Sequence, residues 1–167
     1  TMSLSVHSAI AQDVVEIFTE IYNDPEQFPI HDVGGYSWRG DTATGEHNCG
    51  TAIDINANEN YQIRDGQIEA GSCWEPGTNP YSIAPDSSVV RIFAEHGWSW
   101  GGDAWEWDSD ISYGYHDYMH FSYMGGGAVK AQKRNRCCCS GSFFCGFGLL
   151  RCLLHRLGHH LGLDEVG

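Results

Sequence analysis

A run of three glycines, Gly125-Gly126-Gly127, separates two stretches of opposite chemistry, and it limits what this chain can fold into more than any other feature. Glycine has no side chain to bury and the most backbone entropy to lose, so such a run reads as a boundary. Before it lie three basic side chains (Arg39, Arg64 and Arg91) and twenty acidic ones, a net charge of −17. After it lie six basic and two acidic side chains, a net charge of +4, together with five of the seven cysteines. The expectation is one folded domain over residues 1–125 and a basic, cysteine-rich tail over 126–167 of uncertain structure.

The apolar fraction of 41% and the aromatic fraction of 13% are those of a globular chain long enough for one core. A body this acidic repels phosphate backbones, which argues against nucleic acid as a partner. No apolar run is long enough to span a bilayer, because Gly146, Gly148 and Arg151 interrupt the most apolar one, Phe143 to Leu154. No signal peptide is visible at Thr1, although an export signal could have been lost from a longer start. Cys49 and Cys73 would pair in an oxidising compartment and stay thiols in a reducing one.

The patterning of the body is mixed α and β. Ile10, Val14, Ile17, Phe18 and Ile21 recur at helical spacing, so Ser8 to Asn23 is predicted helical with Ser8 as N-cap. A second helix is predicted over Asp86 to His96, with Asp86 or Ser87 as cap, Val89, Ile92 and Phe93 inward, and Gly97 as the stop. Asp65-Gly66 marks a short hairpin. Thr51 to Asn56 and Tyr118 to Met124 alternate with period two and are predicted strands. Asp54 falls on the face opposite Ile53 and Ile55, and His120 on the face opposite Phe121.

That alternation carries a chemical consequence. If the two strands are neighbours with their apolar sides on the core, Asp54 and His120 share the polar face, and His47 reaches in from the preceding loop. Two imidazoles and a carboxylate are a ligand set for one zinc ion with a position left open. Each residue taken alone has a simpler reading as a surface or hydrogen-bonding group. Trp98 and Trp100 (with Trp105 and Trp107) are candidates to line a substrate groove, and fit a core equally well.

His47-x-x-Gly50-x-Ala52-x-Asp54, followed by Asp117-x-x-His120-Phe121, resembles the motifs of the M15 zinc peptidases of bacterial cell-wall metabolism. These are D-alanyl-D-alanine carboxypeptidases of the VanY type and L-alanyl-D-glutamate peptidases. His96-Gly97-Trp98-Ser99-Trp100-Gly101-Gly102 is similar to a segment that precedes the last ligand in that family, and Gly35-Tyr36-Ser37-Trp38-Arg39 is a looser match. The resemblance covers residues 8 to 124. It implies an α+β fold, hedgehog/DD-peptidase-like, with a small antiparallel sheet carrying the zinc site and flanking helices. It further implies His47, Asp54 and His120 as ligands, Asp117 as general base, Arg39 as a substrate or oxyanion contact, and the peptidoglycan stem peptide as substrate. An extracellular or cell-wall location goes with that substrate. Gly45 stands where the family often has Ser, and Arg39 follows Tyr36 by three residues instead of one. In a regular strand Asp117 would face away from His120, so the resemblance requires Asp117 to lie in a loop before that strand.

Two rival readings accompany this one. A zinc site of this type also occurs in the hedgehog signalling domain, so a non-catalytic zinc-containing binding domain is an alternative, against which Asp117 argues. The tail segment His155-Arg156-Leu157-Gly158-His159 with Glu165 resembles the metzincin helix, but Arg156 replaces its catalytic Glu. A short amphipathic helix on Leu150, Leu153, Leu154, Leu157 and Leu161 is the favoured reading of the tail.

Overall fold

A computed structural model describes residues 2–103, 115–125, 149–154 and 162–165. Its architecture is α+β, built from small antiparallel sheets and few helices. The chain opens with strand β1 (Met2–His7), which the sequence reading did not anticipate. Leu4 and Val6 point into the core while Ser3 and Ser5 do not, a short alternation easily lost among polar neighbours. A single 3₁₀ turn (Ser8–Ile10) leads into helix α1 (Ala11–Asn23), so the α-helix starts three residues later than predicted. His7, not Ser8, supplies the capping acceptor, taking the Ala9 N–H on Nδ1. The predicted stripe is the buried face of α1: Val14, Ile17, Phe18 and Ile21 all lie in the core.

Helix α1 packs on α3 (Ser88–Glu95), where Phe18 meets Phe93 edge to face. Ser87 caps α3 by accepting the Val90 N–H, and Gly97 ends it with φ +77°, as expected for this pair of residues. Residues Val33–Gly34 (β2), Ala52–Ile55 (β3), Ser99–Trp100 (β6) and His120–Ser122 (β8) form a four-stranded sheet in the order β2-β3-β8-β6. A second sheet has the order β5-β4-β7, from Asn60–Arg64 (β4), Gln67–Trp74 (β5) and Tyr115–Asp117 (β7). The predicted turn at Asp65-Gly66 joins β4 to β5, with both residues at positive φ, but the hairpin is longer than expected. The site expected on one sheet is therefore flanked by two.

Strands β9 (Leu149–Leu154) and β10 (Gly162–Glu165) complete a third sheet, in which β9 pairs with β1. The helix predicted on Leu150, Leu153 and Leu154 is thus a strand; apolar residues at such spacings over a short run fit either state, and pairing with β1 decides it. Residues His155 to Leu161, with the metzincin-like histidines, lie outside the described residues, as do Trp105 and Trp107. No helix among the described residues is long and apolar enough to cross a membrane.

Candidate metal centre

Strands β3 and β8 are antiparallel neighbours in a register that sets Asp54 directly opposite His120, Ile53 opposite Phe121 and Ala52 opposite Ser122. Side chains paired in this way lie on one face, so the apolar pair Ile53 and Phe121 enters the core and the pair Asp54 and His120 faces the other way. His47 comes from a one-turn helix, α2 (Glu46–Cys49), immediately before β3. Gly50 closes α2 in the left-handed region (φ +66°), and its carbonyl accepts the His7 N–H, pinning the turn to β1. A Cβ at Gly50 would press on the His7 nitrogen.

The three polar heads converge. His47 Nε2 lies 3.2 Å from Asp54 Oδ2 and 3.1 Å from His120 Nδ1, and His120 Nδ1 lies 3.1 Å from Asp54 Oδ1. Ligands about 2.0–2.1 Å from a tetrahedral ion stand roughly 3.3–3.4 Å from one another, so this triangle fits one zinc-sized ion at its centre. The far sides of both rings are also engaged. His47 Nδ1 lies 2.7 Å from the Gly35 carbonyl, and His120 Nε2 lies 3.3 Å from Glu46 Oε2. A protonated outer nitrogen leaves the inner one with its lone pair toward the centre, the tautomer a ligand needs.

The three groups set one another's charge. Burial opposes ionisation of His120, but hydrogen bonds to Asp54 and Glu46 more than offset this and push its pKa up to about 10. Burial likewise works against the Asp54 carboxylate, and the two histidines overcome it, holding its pKa near about 2.

Asp117 differs. Instead of lying in a loop it ends β7, where it pairs with Gln62 of β4. Tyr118 and Met119 then make a turn, which removes the strand-parity objection to Asp117 and His120 facing one cleft. The Trp100 indole N–H donates to the Tyr118 carbonyl at 2.8 Å, and Trp74 stacks on the Tyr118 ring, so the turn is braced from both sides. Asp117 is 7% exposed and its Oδ1 has no hydrogen-bond partner among the described residues. Burial, with the nearby Asp54 charge and against the attraction of His120, raises its pKa to about 7.

This makes a stability prediction. A carboxyl with a folded pKa near 7 and an unfolded one near 3.8 holds its proton more tightly when folded. Stability is therefore lost as pH rises between those values, by up to ~4 kcal/mol at about 1.36 kcal/mol per unit. In the metal-free protein, Asp117→Asn should raise Tm at pH 8 and have little effect at pH 4. Thermal unfolding at the two pH values checks this, and equal effects at both would place the carboxyl's titration elsewhere.

The triangle and Asp117 border one cleft of about 570 Å³, which Arg39, Glu46, Cys49, Gln62 and Tyr115 also line. Arg39 is exposed at its edge, and its backbone N–H donates to Asn48 Oδ1 at 2.6 Å. Asn48 also donates to the Gly40 and Ala43 carbonyls, so one side chain on α2 fastens the Arg39 loop beside His47. Cys49 and Cys73 are both thiols.

Trp98 and Trp100 do not line the cleft. Trp98 is 1% exposed, donates to Asp13 Oδ2 and packs against Phe93 and Tyr123; Trp100 is 5% exposed. The substrate role read for them gives way to core packing. Trp98→Ala should cost about 3–5 kcal/mol of stability, measured by urea unfolding, and a loss under about 1 kcal/mol would contradict the core role. His96 has both ring nitrogens taken, by Asp13 and Glu20 of α1, and ties the end of α3 to that helix. No spacing in the sequence assigns Glu46, Asn48 or Gln62 these contacts, because each depends on partners brought close by folding.

A family model described as D-alanyl-D-alanine carboxypeptidase matches residues 39–123, just over half of the chain, and spans Arg39, the three converging residues and Asp117. The chain belongs to this family of M15 peptidases. No curated protein and no solved structure matches it.

Proposed function

We propose that the chain hydrolyses peptide bonds in peptidoglycan stem peptides with one zinc ion held by His47, Asp54 and His120. The observation that carries this reading is the closed triangle of two imidazole nitrogens and a carboxylate at 3.1–3.2 Å, with a buried acid beside it in the same cleft. Bound there, zinc would polarise the scissile carbonyl and acidify water at neutral pH. Asp117 takes a proton from the attacking water and delivers it to the leaving amine. Its buried carboxyl borders the same cleft as the triangle, and its Oδ1 has no hydrogen-bond partner among the described residues, which suits a group that must accept and release a proton there. Arg39 stands at the cleft edge as a cation for a substrate carboxylate or for the developing oxyanion.

The site's surroundings support a substrate that is peptide-like and anionic. Arg39 is the one arginine among the described residues that line the cleft, a local attractor for a carboxylate, and the stem peptide carries several. The fold reading that accompanies this function is the hedgehog/DD-peptidase arrangement, and the location is extracellular or at the cell wall. The test is to digest purified peptidoglycan with the full chain and zinc and to identify the fragments by mass spectrometry. Release of free D-alanine marks a carboxypeptidase, and cleavage between L-Ala and D-Glu an endopeptidase. Intact stem peptides from zinc-loaded protein would refute the proposal.

A further inference from the structure

We infer that Glu46 is the positioning residue that locks His120 as a metal ligand and tunes the affinity of the centre for zinc. The inference rests on the proposed metal centre and goes beyond it, since nothing in the ligand motif requires an acid before His47.

Glu46 opens α2, one residue before a ligand, yet its carboxylate reaches past His47 to the other side of the site. Oε2 lies 3.3 Å from His120 Nε2, the nitrogen that faces away from the triangle. Oε1 accepts from Ser122 Oγ at 2.7 Å and from the Met124 backbone N–H at 3.2 Å. Both oxygens are thus occupied by groups of β8 and the residues just after it. Glu46 is fixed on the ring's outer edge and is not one of the converging donors, which are His47, Asp54 and His120. This geometry also separates it from the base: its oxygens are committed to His120, Ser122 and Met124, whereas Asp117 Oδ1 has no hydrogen-bond partner among the described residues.

The two ligand rings are held differently. His47 leans on a neutral carbonyl, that of Gly35, and His120 on a carboxylate. A carboxylate holds the outer N–H more strongly and makes the inner nitrogen a better donor. With Asp54 it also brings two negative charges to the centre, matching a divalent cation. Ser122 contributes through Glu46, by holding the carboxylate against the ring edge.

Partners of this kind typically contribute about 10–100-fold in metal affinity. The test is a competition titration of Zn²⁺ between the full chain and a chromophoric chelator, with Tm of the metal-free protein measured in parallel. Glu46→Ala is expected to raise the zinc Kd by about 10–100-fold. Glu46→Gln keeps the shape and an acceptor and loses the charge, so its loss should be smaller, and it keeps the test open if the alanine variant folds poorly. An unchanged Kd in both variants, with a lowered Tm, would overturn the inference and leave Glu46 as a tie between α2 and β8. A parent chain that takes up no zinc would overturn the metal centre itself, a separate outcome visible before any variant is made.

Discussion

Asp117→Asn is expected to lower kcat by about 10²- to 10⁴-fold while the protein keeps its zinc, the usual contribution of a positioned general acid–base. Asparagine has nearly the same shape and cannot ferry a proton from water to the leaving amine. The parent's activity should fall on the acid side, where the carboxyl is protonated and no longer a base, at a pH set by the bound ion as well as by burial. The variant should lose this limb of the profile. Steady-state hydrolysis of a stem peptide, with metal content measured on the same samples, separates the outcomes. Loss of zinc from Asp117→Asn would make Asp117 an anchor of the site, and parent-like turnover would move the base to another acid.

His120→Ala should abolish both metal and activity. The ring is the only group that touches Asp54, His47 and Glu46 together among the described residues, so its removal opens the triangle and leaves half-buried Glu46 and Asp54 each without the ring they share. Turnover should fall to background, a larger effect than that of Asp117→Asn, because the nucleophile and the oxyanion support go with the metal. Metal analysis of the purified variant checks this. A His120→Ala chain that retains zinc at parental affinity would mean the ion sits elsewhere.

The core of this site was legible in the sequence because strand alternation is a local rule. Asp54 lies between Ile53 and Ile55, and His120 beside Phe121; burial of the apolar partners forces the polar ones to a common face once β3 and β8 pair. The helices were legible for the same reason, through Ile17, Phe18 and Ile21 in α1 and Val89, Ile92 and Phe93 in α3. What escaped depends on long-range partners. Glu46 meets His120 and Ser122 across more than 70 residues, and no spacing announces it. The turn at Tyr118-Met119 escaped because two apolar residues there continue the strand pattern, and only the Trp100 indole and the Trp74 ring show why the chain bends. Trp98 and Trp100 were ambiguous in principle, since a large aromatic fits a groove or a core and burial alone distinguishes them.

The most direct measurement of the central claim is hydrolysis of a stem peptide as zinc is returned to chelated protein. Activity should be absent after chelation, rise in proportion to added zinc, and saturate at one ion per chain, with His120→Ala unresponsive throughout. Activity that survives complete removal of metal, or that His120→Ala regains with zinc, would contradict catalysis at the triangle of His47, Asp54 and His120.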